Sequence, residues 1–392
     1  MYSVASEGID NDGDGRLNED GIGGLDLHRN YPENWRPESE ATGRGYTQGG
    51  AGEYPLSETE TRAVVTFLLS HPNVYVVNSM DTSVPMHLRP PSTSASEERM
   101  YPEDLKWYKL FDETGKKITG YAKAGDVYND YGGGSPLFGH GPDFGYFYFG
   151  AIWYGDEIWN GARNKDYDGN GTIEQKEILR WDDEENDSLG FRRWKPAHHP
   201  VYGDVEIGGF DPKFFSQNPP AKHLLKWIKN EGLFNIEMVK YLPELKWEDI
   251  TFKKIKEYKA DSADYEIRVT YSNTGQLPTA LKQANLVRIV SEDKVSVSFD
   301  RPAKDEGKAA IEVIDPASRR PGRGEMGGPG EPQGQRGRLS ASKNSGYAQG
   351  GEKNTAVFKI RIRGIEEVKG KATVSSTRGG ILKEKEFSLK LK

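Results

Sequence analysis

From about Ile250 to the carboxyl end the sequence changes its period, and that change limits the possible folds more than any other feature. Short stretches alternate apolar and polar residues: TFKKIKEYK, YEIRVTYSN, NLVRIVS, KVSVSFD, KAAIEVID, AVFKIRIRG, KATVSST and KEFSLKLK. Turn residues separate them. A period of two puts one face of each strand in a core and the other in water. This segment therefore predicts an all-β, immunoglobulin-like sandwich of roughly seven or eight strands. Pro316–Gly351, rich in Gly, Pro, Arg, Ser and Gln, interrupts the pattern. It reads as a flexible insert that buries no core.

Upstream, helical and strand-like patterns take turns. Ser57-Glu58-Thr59-Glu60 has the form of a capping box. TRAVVTFLLS follows with helical spacing, and the helix is expected to stop before His71-Pro72. Asn73–Met80 (NVYVVNSM) and Tyr146–Trp153 (YFYFGAIW) read as buried strands, and Ala221–Glu231 as an amphipathic helix ended by Gly232. Helix followed by apolar strand is the sign of an α/β layer structure. The predicted division is 1–247 for the α/β part and 248–392 for the sandwich.

The 8 Trp, 20 Tyr and 15 Phe allow a core that is largely aromatic. A net charge of −7 opposes nonspecific nucleic-acid binding. With no cysteine there are no disulfides, thiolate metal sites or cysteine nucleophile. No run approaches the roughly 18 apolar residues of a membrane span. Glu7, Asp10 and Asp12 stand where a signal peptide would be basic and then apolar. The chain reads as starting inside a longer protein.

The run GLDLHRNYPENW, within Gly23–Trp35, has neither a helical nor a strand period. It resembles the Gly-Val-Asp-x-Asn-Arg-Asn-(Phe/Tyr)-Pro signature of zinc carboxypeptidases of the carboxypeptidase A/B type. Further likenesses follow in order. GEYPLSETETRAV (Gly52–Val64) resembles the family's start of the next helix. NSMDTSVPMHLRPP (Asn78–Pro91) resembles the strand end bearing the third zinc ligand. PDFGYFYFGAIWYGDEIWN (Pro142–Asn160) resembles the segment leading to the catalytic glutamate. Together they cover roughly residues 8–245 and imply a partial carboxypeptidase-like mixed sheet flanked by helices.

The resemblance assigns roles. Arg29, with His28 in place of the family's first asparagine and Asn30 matching the second, is expected to hold the carboxylate of a peptide or protein C-terminus. A planar guanidinium does this with two parallel hydrogen bonds. Glu157 is expected to be general base and acid, with Asp156 on the opposite strand face. Tyr131, with Tyr128 second, takes the place of the family's mobile tyrosine. The family's zinc needs a His-x-x-Glu pair and a later His. None of the 7 histidines starts such a pair, and Asp81 stands at the third ligand position.

DYDGNGTIEQKE (Asp166–Glu177) fits the calcium loop D-x-[DN]-x-[DN]-G-x5-E. Asp166, Asp168, Asn170, the Thr172 carbonyl and Glu177 are the expected ligands. A second candidate loop uses Asp10, Asp12, Asp14 and Asp20, without the closing glutamate. Such inserts accompany secreted bacterial relatives, which implies an extracellular or periplasmic parent protein. Three readings follow. The chain is part of a zinc carboxypeptidase that is inactive alone; or it is a noncatalytic pseudopeptidase that binds peptide termini or cell-wall peptides; or it is a calcium-dependent adhesin.

Overall fold

The structure is a computed structural model that describes residues 25–37, 50–82, 84–200, 202–258, 261–300, 310–314 and 339–390. It divides into two compact units. The first is Met1–Lys240 with Leu281–Val287, and the second is Tyr241–Ala280 with Arg288–Lys392.

In the first unit the chain runs through α1 (Thr59–Ser70), β1 (Val76–Thr82), β2 (Met86–Arg89), α2 (Ser96–Arg99), α3 (Pro102–Thr119) and β3 (Lys123–Asp126). It continues through α4 (Gly141–Phe147), β4 (Ile152–Ile158), α5 (Gln175–Glu185), β5 (Phe191–His199), β6 (Gly203–Phe210) and α6 (Ala221–Val239). The sheet order is β1-β4-β2-β3. β1 and β4 are parallel, as are β2 and β3, while β2 meets β4 antiparallel at Met86 and Glu157. This is the expected mixed sheet flanked by helices. β4 is buried along its whole length, so it reads as one apolar run rather than an alternation. β5 and β6 form a separate hairpin. No helix among the described residues is long and apolar enough to cross a membrane.

Several local expectations are corrected. Tyr146–Trp153 is not one strand. α4 takes Gly141–Phe147, started by Pro142, and the chain turns at Gly150 (φ +65°) before β4 begins. An Ala284 backbone atom lies where a side chain at Gly150 would begin. α6 does not stop at Gly232, because Phe234 and Met238 extend its buried face beyond it. That burial outweighs the roughly 1 kcal/mol cost of a mid-helix glycine. α1 forms, but no capping box closes it. Ser57 Oγ donates instead to Glu58 Oε1 (2.7 Å). β1 is half-buried at the sheet edge, with Met80 54 % exposed.

The second unit contains β7 (Leu245–Tyr258), β8 (Ser262–Asn273), β9 (Lys294–Phe299), β10 (Ala310–Val313), β11 (Ser340–Asn344), β12 (Lys353–Arg363), β13 (Glu367–Ser376) and β14 (Gly380–Lys390). They form antiparallel sheets in the orders β10-β12-β8-β7 and β11-β9-β13-β14. One apolar cluster draws on both sheets. Tyr265, Ile267, Val269 and Tyr271 of β8 lie in it with Val295 and Val297 of β9 and Val368, Ala372 and Val374 of β13. Two readings of this region change. NLVRIVS is a short turn followed by loop, not a strand. Ser340–Asn344, read as insert, is β11, paired along its length with β9 through buried Ala341. Residues 316–338 of the insert lie outside the described residues.

Candidate functional site

A polar cavity of about 590 Å³ opens where β1 and β4 end. The parallel register sets Asp81 directly beside Glu157. Asp26, His28, Arg29, Tyr131, His140 and Lys213 are among the other wall residues. Arg29, Tyr131, Glu157, His28 and Asp81, all singled out from the sequence, therefore line one space. Tyr128 is not among its lining residues.

Arg29 is carried on a single turn, Leu27–Arg29, capped by the Asp26 carboxylate, which accepts from the His28 amide (2.9 Å). Asp26 Oδ2 also stands 3.4 Å from Arg29 Nε. The segment is held from behind by Gly139. Tyr31 N donates to Gly139 O (2.9 Å), and Gly139 N donates to Glu33 O (3.2 Å). Gly139 has φ +67°, and a side chain there would run into the Arg29 carbonyl. Glycine is what this close approach requires.

Glu157 is nearly buried, and burial pushes its carboxyl up to about 8. The Asp81 charge beside it adds to the rise, while Tyr131 and the Val84 amide oppose it. Tyr131 sits in a wide turn, Val127–Tyr131, and is itself pushed well up by burial and by Glu157. Near neutral pH the Glu157 carboxyl thus favours its protonated form, which donates a hydrogen bond, and its ionised fraction is a base of raised proton affinity.

His140 was not foreseen as a site residue. It is buried in the cavity wall, 5.0 Å ring to ring from His28, and burial drives its proton affinity well down. Ser92 Oγ lies 2.8 Å from His140 Nδ1 and 3.0 Å from Asp143 Oδ1. Lys213, Gln217 and Asn218 also line the cavity from a segment after β6. The one available signal was proximity of His140 to the Pro142–Asn160 stretch; the other three have none.

Asn30 departs from its expected role. It is fully buried and is not among the residues that line the cavity. Its amide nitrogen is within hydrogen-bond distance of Ala51 O (2.8 Å), Tyr54 O (3.0 Å) and Ser57 Oγ (2.9 Å). Its oxygen accepts from Glu58 N (3.2 Å) and Thr61 Oγ1 (2.5 Å). The side chain is spent on the start of α1 and has nothing left for a substrate.

Asp81 is half-exposed and meets His28 Nδ1 at 3.5 Å. Two groups among the described residues bring three ligating atoms within 4.8 Å of one another: His87, Asp156 and Glu231; and Asp166, Asp168 and Glu177. Neither includes Asp81. The cavity residues described do not make a three-ligand zinc site.

In the Asp166–Glu177 loop, Asp166 accepts from Gly169 N (2.7 Å) and Gly171 N (2.8 Å), and Asn170 Oδ1 accepts from Thr172 N (2.7 Å). Glu177 accepts from Tyr167 N (2.6 Å) and closes a capping box with Glu174 at the start of α5. No helix enters the loop. Asp10, Asp12, Asp14 and Asp20 lie outside the described residues.

Arg29 and the buried Glu157 thus face one cavity where the parallel strands β1 and β4 end. Residues 2–139 match the family model described as zinc carboxypeptidase, so the family resemblance is supported over that segment. Residues 245–386 match a family described as a domain of unknown function (DUF8731). No curated protein matches the chain. Among solved structures, the chain is similar to a carboxypeptidase A from Helicoverpa armigera at 16% identity, covering 34% of this chain and 33% of that one (TM-score 0.29). It is similar to thrombin activatable fibrinolysis inhibitor at 22% identity, covering 36% of each chain (TM-score 0.28). Bovine thrombin-activatable fibrinolysis inhibitor, solved with a tick carboxypeptidase inhibitor, is 20% identical over 42% of this chain and 54% of that one (TM-score 0.26). The chain thus spans between about a third and about a half of the length of these structures.

Proposed function

We propose that this chain carries the substrate-reading part of a metallocarboxypeptidase-like site and recognises the C-termini of peptides or proteins. The observation behind this reading is the convergence of Arg29, Tyr131 and Glu157 on one cavity. Arg29 meets the terminal carboxylate, Tyr131 covers it, and Glu157 faces the scissile region as base and acid. In a longer parent protein the same cavity serves hydrolysis of C-terminal residues. The chain alone, with no three-ligand zinc set among its described cavity residues, binds without turnover.

Calorimetric titration with a peptide bearing a free carboxylate and with its amidated twin tests the reading. Binding confined to the free acid supports it; equal or absent binding of both sinks it. Release of C-terminal residues by this chain with added Zn2+ would overturn binding without turnover. A noncatalytic pseudopeptidase is the second reading, favoured by Asp81 at the third ligand position. The two separate on the intact parent protein, which either hydrolyses peptides or only binds them. We also read Asp166, Asp168, Asn170, Thr172 and Glu177 as a calcium site that stabilises the fold, in a parent protein working outside the cytoplasm where calcium is plentiful.

A further inference from the structure

On the sheet face opposite Glu157, His87 of β2, Asp156 of β4 and Glu231 of α6 are fully buried together. One ligating atom from each lies within 4.8 Å of the other two, and His87 Nδ1 is 2.9 Å from Asp156 Oδ1. Burying two carboxylates side by side is costly unless a positive charge compensates them. The surroundings leave these groups short of partners. Both Glu231 oxygens, Asp156 Oδ1, His87 Nδ1 and the Tyr121 hydroxyl have no aligned hydrogen bond. Tyr121 and Asp156 stand close enough to Glu231 to interact with its carboxyl, but neither meets hydrogen-bond geometry with it.

The tautomer of His87 sharpens the point. Thr119 Oγ1 donates its one hydrogen to the Gly115 carbonyl (2.9 Å) and lies 3.0 Å from His87 Nε2. It accepts there, so Nε2 carries a proton; the Gly115 carbonyl faces the same edge of the ring. A neutral His87 therefore turns the Nδ1 lone pair on Asp156 Oδ1. At that distance the pair needs either a proton on Nδ1, which makes His87 an imidazolium, or a metal cation beside it.

We infer that His87 Nδ1, Asp156 and Glu231 bind one divalent first-row transition-metal ion. A neutral imidazole and two carboxylates balance its charge, and one nitrogen with two oxygens suits zinc or manganese. The site is braced. Asn78 Nδ2 donates to Asp156 Oδ2 (2.7 Å), which leaves Oδ1 for the ion, and the rings of Tyr121 and Phe234 flank His87 at 5.0 and 4.5 Å. A cavity of about 460 Å³ is lined by Thr119 and Tyr121, both in contact with His87, together with Trp227 and Asn230. The ion ties β2, β4 and α6 at one point.

The test uses the whole 392-residue chain. An Asp168→Ala background removes the other three-ligand group. The protein is stripped with a chelator and titrated with Zn2+, while bound zinc and Tm are followed. One zinc per chain with a raised Tm is expected, and Glu231→Gln is expected to weaken binding at least about tenfold. If Glu231→Gln fails to fold by circular dichroism, His87→Gln serves the same purpose. No uptake and an unchanged Tm would overturn the inference, leaving a proton to compensate the carboxylates. So would zinc that survives in Glu231→Gln but is lost in Asp81→Asn, which would place it in the peptide cavity.

Discussion

Asp156 and Glu157 are neighbours on β4 whose side chains face opposite sides of one sheet. Asp156 meets His87 and Asn78 in the interior, while Glu157 lines the cavity with Arg29 and Tyr131. Strand geometry alone produces this separation, since successive side chains alternate. Two adjacent carboxyls thus answer to different surroundings, and the predictions below treat them apart.

Arg29→Ala is expected to weaken peptides with a free C-terminal carboxylate by about 2 kcal/mol, the worth of a charge-assisted hydrogen-bonded pair. Amidated peptides should bind the variant and the parent chain alike. Calorimetry on matched peptides reads both. Equal losses on the two would assign Arg29 to folding instead.

The Glu157 carboxyl sits at about 8 when folded, above its ordinary 4.5. Between those values the folded chain keeps a proton that the unfolded chain has lost. This group's contribution is therefore full at low pH and declines as pH rises through that window, by at most about 1.4 kcal/mol per pH unit. In the metal-free chain Glu231, also raised to about 8, acts in the same direction. Glu157→Gln should flatten the decline without abolishing it, as read by urea unfolding at about pH 5 and about pH 8. A decline as steep as that of the parent chain would mean Glu157 is ionised throughout.

Gly139→Ala should move the Arg29 segment, because the new side chain meets the Arg29 carbonyl at a positive φ. A loss of about 2 kcal/mol in stability is expected, together with weaker binding of free-acid peptides. A variant that keeps full peptide affinity would show that Arg29 does not depend on this contact.

Calcium at about 1–10 mM, at or above the roughly 0.1–1 mM dissociation constants of weak extracellular modules, should raise Tm in the parent chain and not in Asp168→Ala. An equal response in both, or none in either, would remove the Asp166–Glu177 loop as a calcium site.

The general α/β layout was legible in the alternation of helical and apolar strand-like stretches, whereas Arg29, Asp81 and Glu157 were singled out through the resemblance to zinc carboxypeptidases, and the structure places all three on one cavity. What escaped was set by distant partners. α4 hides in an aromatic, glycine-rich run that reads equally well as strand, and only Gly150 packed against Ala284 decides where the strand starts. β11 has too few apolar residues to announce itself and exists through β9. Lys213, Gln217 and Asn218 reach the cavity from more than fifty positions beyond Glu157, with no periodicity to flag them.

Asn30 joins five groups in two other stretches, Ala51–Tyr54 and Ser57–Thr61, and is not among the residues that line the cavity. Its place in the Arg-Asn pair is therefore answerable to assembly and not to chemistry. A chain of this type that had lost every reacting group would still need that asparagine to seat α1. The pair read together is a test of whether the loop before α1 is built, and only its arginine bears on what the loop then does.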